Sequence, residues 1–203
     1  MAAFAGMREI EAGHYNLVAI SGVEMMRNVN GKLAAQHLGA AAWIGHEAEE
    51  ALYPWVYLFS EIKEFYQERY GVDDKHLAEI ARINYANARR NPNAQTRKWE
   101  MTEEDFGTND ERNPIIEGSL RKSDCGRVTD GSATIFLASE SYARKYASER
   151  NITFEQIPYI KGWGHRTAPI QLEYKLKQAP AEAYAFPHLR GAITDAMNRA
   201  KIE

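Results

Sequence analysis

Cysteine is nearly absent from this chain: Cys125 is the one example in 203 residues. A single cysteine excludes an intramolecular disulfide framework and a cysteine-rich zinc site, and it suits a reducing, cytoplasmic compartment. No sign of charge predominates either. Twenty-five Lys and Arg against 28 Asp and Glu leave a formal net charge of -3, so there is no basic field of the kind that holds nucleic acid. No apolar run approaches the ~18 residues of a membrane span. The opening residues 1–13 have neither the basic start nor the apolar core of a secretory signal. The six histidines form no His-x-x-x-His pair. The stretch "GHEAEE" at 45–50 reads as a solvated helix face rather than a ligand set, so no metal is expected. There is no P-loop, no GxGxxG fingerprint, no internal repeat and no low-complexity linker.

What is present is ordinary globular material, 44% hydrophobic and 26% charged. It is long enough for one domain or one and a half, with a core of useful size. Phe4, Met7 and Ile10 recur at helical spacing, and Gly13 stands where a C-terminal cap belongs. Leu17, Val18, Ala19 and Ile20 then form a short apolar run, which predicts a strand buried on both faces. Helix, short loop and buried strand together predict an α/β class. From 25 to 118 the signals turn helical. Pro54 suits a first helical position. Trp55, Phe59, Ile62 and Tyr66 line one face, widened by Leu58 and Phe65. That face is expected to be buried against a second helix, which opens at Asp73 and Asp74 and stops before Pro92. Thr102 with Asp105 is a variant capping box. Beyond Gly118 the sheet grammar resumes. Residues 133–138 predict a strand, Ser139 a helix cap, and 152–164 a further strand kinked at Pro158. The last helix carries Leu189, Ile193, Met197 and Ala200 on one face. The expected organisation is an α/β core from 1–24 and 119–203, interrupted by a helical insertion at 25–118.

Cys125 lies in "SDCGRVTDGSATIFLAS", residues 123–139. A reactive thiol needs a cation, a base or a helix N-terminus beside it. Arg121, Lys122 and Arg127 are near in sequence, but no helix starts directly after Cys125. A lone cysteine is more often a small hydrophobe, and the reading favours a wall residue over a nucleophile. "DGS" at 130–132 is a tight turn. "KGWGHR" at 161–166 is either a ligand-contacting loop or a bend ending a strand.

Four segments together resemble the thiolase superfamily, in its sterol-carrier-protein thiolase-like and acetyl-CoA acetyltransferase branch. "EIEAGHYNLVAISGVEMM" resembles the family's helix, strand and GxExM run, here Gly22, Glu24 and Met26. "INYANARRNPNAQTR" resembles its Asn-Pro-x-Ala-Gln element, here Asn91, Pro92, Ala94 and Gln95. "GSLRKSDCGRVTDGSATIFLASESYA" resembles the stretch that re-enters the core, and "IKGWGHRT" with "LRGAITDAMNRAKI" the strand and helix that follow. The resemblance spans essentially the whole chain. It implies a partial thiolase fold with a mainly helical loop domain inserted in the first half. It also implies an acyl-CoA C-acyltransferase, acting by Claisen condensation or thiolysis of a 3-oxoacyl-CoA.

The family's nucleophilic cysteine would precede the helix at Met1, and its histidine and second cysteine would follow Glu203. The chain then reads as a middle slice without catalytic residues, inactive alone. By the same resemblance Cys125, Gly126, Asp130 and Gly131 line the acyl-CoA-facing loop. No cofactor is bound covalently, and a coenzyme A thioester is the substrate. The implied partners are the rest of a thiolase subunit and further copies, as a dimer or tetramer. Two other readings stay open: a thiolase-like retro-aldolase of steroid-type CoA esters working with a small OB-fold partner, and a non-catalytic binding subunit.

Overall fold

A computed structural model describes residues 1–178 and 184–202. In chain order its elements are α1 (Ala2–Glu11), β1 (Leu17–Glu24), α2 (Gly31–Gly39), α3 (Pro54–Tyr70), α4 (Asp74–Arg90), β2 (Ile115–Glu117), β3 (Leu120–Arg121), β4 (Gly131–Ala138), α5 (Glu140–Arg150), α6 (Leu172–Gln178) and α7 (Pro187–Ala200). They form an α/β chain with two small antiparallel sheets. The chain divides into two compact units. One gathers Met1–Asn28, Thr129–His165 and Gly191–Glu203; the other gathers Val29–Val128 and Arg166–Arg190. The helical unit thus runs past Gly118 to Val128 and takes in a second segment.

The first unit is built on a two-stranded ribbon. β1 and β4 pair antiparallel from Leu17 opposite Ala138 to Glu24 opposite Gly131. The hydroxyls of Ser21 and Thr134 meet across it at 2.9 Å. α1 ends in a Schellman arrangement. The Gly13 N–H donates to the Ile10 carbonyl and the His14 N–H to that of Glu9, with Gly13 left-handed at φ 77°, as glycine tolerates. Gly6 of α1 is buried. A Cβ there would lie 3.2 Å from Val18 and Ile20, so α1 covers the face those two residues share. The other face is open: Val23 is 82% exposed and Phe136 66%. β1 is therefore covered on one side and not on both. A continuous apolar run marks double burial only where a second layer exists to supply it.

Ser139 caps α5, its hydroxyl accepting from the Tyr142 N–H at 3.3 Å. The expected strand at 152–164 does not form. A short 3-10 turn occupies Phe154–Gln156, and the residues after it lie along α7. A Cβ at Gly162 would collide with the Ala196 carbonyl, and one at Gly164 with that of Ala192. The glycines of "KGWGHR" are explained by this close approach to a helix backbone. Between them Trp163 meets the Arg8 and Arg199 guanidiniums at 4.9 and 3.7 Å from its ring centre, with Phe4 edge-on at 4.6 Å. Arg199 also donates to the Trp163 carbonyl.

In the second unit local chemistry sets the helix ends. Pro54 opens α3 and left-handed Gly71 closes it. Asp73 accepts from the Lys75 N–H at the start of α4, and α4 stops at Arg90, before Pro92. The side of α3 that packs is displaced from the expected one. Trp55 and Phe59 are 38% and 48% exposed, whereas Leu58 and Ser60 are buried. The cause is the β2–β3 hairpin. Its turn seats on Ser60, whose Oγ accepts from the Ser119 N–H at 2.7 Å. Gly118 there is left-handed, and a Cβ would strike Ser60. Lys63 completes the seat, donating to the Ser119 carbonyl at 2.8 Å and pairing with Asp74 at 2.9 Å. On the expected face of α7, Leu189 and Ile193 are 60% and 45% exposed, whereas Met197 and Ala200 are partly buried.

Residues 45–50 are turns rather than a helix face, with Gly45 and Ala48 at positive φ. Glu47 there accepts from the Trp43 and Leu172 N–H groups at 2.9 Å each. Among the described residues, the buried apolar side chains larger than alanine are Leu58, Phe106, Leu120 and Leu172, all in the second unit.

Candidate functional site

A groove of about 250 Å³ opens in the second unit between α4 and the turn that leads into Cys125. Alanines make it possible. Ala81 and Ala88 present little bulk on the facing side of α4, and Tyr85 between them forms the wall. The Tyr85 ring stacks on Trp99 at 6.4 Å and tilts against buried Phe106 at 5.9 Å. Arg127 lies over Trp99 at 5.3 Å. Asn84, Thr96, Ser123 and Asp124 add polar lining.

The opposite lip is a 3-10 turn, Lys122–Asp124, with Cys125 as its C-cap. The Arg121 N–H donates to the Asp124 carboxylate at 2.8 Å. Behind the lip lies Asn113, 1% exposed. Its amide nitrogen donates to the Gly107 carbonyl at 2.8 Å and to the Ser123 hydroxyl at 3.1 Å, and its oxygen accepts from the Ser123 N–H at 2.9 Å. A second anchor is Thr102, whose N–H and hydroxyl both donate to the Asp105 carboxylate. That carboxylate also pairs with Arg112 at 3.0 Å. These bonds and the Arg112 charge hold Asp105 below the usual carboxylate range.

Cys125 is half-buried and free. Burial pushes its thiol up from the ordinary value, the Asp124 charge adds to the shift, and Arg127 opposes it. This shift is opposite in direction to the depressed pKa of a reactive cysteine. Cys125 can wall a ligand. Arg127 can supply a positive charge to an anionic group, and the neighbouring side chains can supply hydrogen bonds. The volume is below the ~300–1,000 Å³ of pockets that enclose a whole drug-sized ligand, so the groove suits one portion of a larger molecule.

Cys125 and Gly126 both line this groove. Asp130 and Gly131 belong to the other unit. Asp130 accepts from the Arg27 N–H at 2.7 Å, and Gly131 pairs opposite Glu24 at the ribbon's end. The residues unforeseen from sequence are Asn113, Tyr85 and the two alanines. The dipeptide Asn113–Pro114 is a turn signal that could have drawn attention to the first. No set of three His, Cys, Asp or Glu side chains among the described residues is placed to hold a metal ion. No described helix is long and apolar enough to cross a membrane.

No protein-family profile matches the chain. Over 143 residues it is 28% identical to an acetyl-CoA acetyltransferase of Methanothermobacter thermautotrophicus, a match that covers 70% of this chain. The chain spans about 35% of the length of that curated relative, and this similarity supports a thiolase relationship.

Proposed function

We propose that this chain is part of a thiolase-type acyl-CoA C-acyltransferase, which makes or breaks the carbon–carbon bond of a 3-oxoacyl-CoA ester. The observation that carries the reading is the 143-residue similarity to a protein named acetyl-CoA acetyltransferase. Coenzyme A thioester is the substrate, and no resident cofactor is required. The groove at Cys125 takes one portion of that thioester. Arg127 offers charge, and Cys125 and Gly126 serve as wall. By the resemblance to thiolases, the acyl-accepting cysteine and the proton-handling groups are assigned to other parts of the protein, and the upward shift of the Cys125 thiol is compatible with a wall role for that residue. The chain works with the rest of its subunit, in a cytoplasmic homo-oligomer.

Two measurements test this. Purified chain should show no thiolysis of acetoacetyl-CoA, since loss of the nucleophile removes the covalent route. Turnover abolished by Cys125→Ala would overturn the role given to that residue. Acetyl-CoA should slow alkylation of Cys125 by iodoacetamide; an unchanged rate at saturating thioester would remove coenzyme A from the groove.

A further inference from the structure

The geometry points to Asn113 as the positioning residue of the Cys125 groove, acting through Ser123 on the lip that a ligand would meet. The inference rests on the reading that this groove receives part of a coenzyme A thioester. Asn113 has three bonds from one carboxamide. Both amide hydrogens are used, on the Gly107 carbonyl and the Ser123 hydroxyl, and the oxygen takes the Ser123 N–H. Its own backbone is fixed as well. Its N–H donates to the Asn109 carbonyl at 2.7 Å, and its carbonyl accepts from Arg121 at 2.7 Å. At 1% exposure no water competes for these bonds. Ser123 is itself buried, two residues before Cys125. Beyond Asn113, the Lys122 N–H donates to the Pro114 carbonyl at 2.9 Å and the Arg121 guanidinium, at the start of the turn, pairs with the exposed Asp110 carboxylate at 2.6 Å. A weaker bond runs from the Lys122 ammonium to the Arg112 carbonyl at 3.5 Å. Among these ties the carboxamide is the one that is buried and that grips Ser123 itself, the residue of the lip that lines the groove beside Cys125.

Aspartate separates positioning from bulk stability. Asp at 113 cannot donate to the Gly107 carbonyl, and it places a charge in a dry site, so it should cost stability. It can still accept from the Ser123 N–H, and the Ser123 hydroxyl can turn to donate to it. The lip would remain in place while the loop behind it weakens. Alanine loses both connections.

The experiment is alkylation of Cys125 by iodoacetamide at fixed pH in the full chain, with thermal melts of each variant. Asn113→Ala should raise the rate about tenfold. Asn113→Asp should stay within about threefold of the parent despite a melt lowered as far as that of Asn113→Ala, or further. Rates that follow the loss in Tm, with Asp as fast as Ala, would overturn the proposal. So would an unchanged rate in Asn113→Ala. If Asn113→Ala does not fold, Ser123→Ala replaces it: it must label faster than Asn113→Asp, and the reverse order overturns the proposal. The same assay with acetyl-CoA present keeps the two readings apart. Failure of the thioester to protect the parent removes the ligand, whereas failure of the variants to change the rate removes the role of Asn113.

Discussion

At the scale of single residues, the groove's reactivity is governed by where its charges sit. The Cys125 thiol is raised first by burial and then by Asp124, with Arg127 pulling the other way. The alkylation rate should therefore rise with pH through a midpoint above that of an ordinary cysteine. Asp124→Asn should move the midpoint down and Arg127→Ala should move it up. The shift also affects folding. A thiol whose folded value is raised adds stability that is intact below its unfolded value, and the chain loses it as pH climbs through the folded value. Alkaline denaturation should thus begin earlier in the parent than in Cys125→Ser. The sequence reading of Cys125 as a wall residue rested on the lack of a helix start after it, and its half-buried place on a groove is compatible with that reading. Asn113 was not readable. Its bonds reach a residue ten positions away, and side-chain hydrogen bonds leave no periodic trace in the chain.

Elements show the same division between local and non-local causes. Helix ends at Gly13, Pro54, Gly71, Asp73 and Ser139 fall where the sequence places them, because a cap is decided within one turn of chain. Helix faces do not follow so simply. The packing side of α3 is set by a serine, and an apolar pattern cannot register a residue that is buried to hold a hairpin. Leu58→Ala should cost about 2–5 kcal/mol, while Phe59→Ala, about half exposed, should cost only about 1 kcal/mol. Urea denaturation of the two variants would check the order, and equal losses would return the packing face to Phe59. Gly118→Ala should be costlier than its size suggests, since both its left-handed backbone and Ser60 oppose a Cβ. The expected strand at 152–164 failed for a related reason. Its glycines serve contact with α7, not a turn at a strand's end, and a single sequence cannot show which partner a glycine admits.

For the whole molecule, the decisive contrast is between the cores of the two units. The first buries Gly6 and Ala147 and, among its described residues, no apolar side chain larger than alanine. Apolar area removed from water is the main stabilising term of a fold, and the ribbon's open face leaves much of it unused. The isolated chain should bind an apolar-sensing dye and self-associate at micromolar concentration. Phe136→Ser should reduce both, and a monodisperse chain with no dye signal would contradict the exposed face. The pairing of β1 with β4 has a further consequence during synthesis. Its strands are separated by all of Val29–Val128, so β1 leaves the ribosome long before its partner exists. At roughly 5–20 residues per second, that interval is on the order of ten seconds. Through it an apolar strand with Val18 and Ile20 waits unpaired, and a chaperone has time to find it.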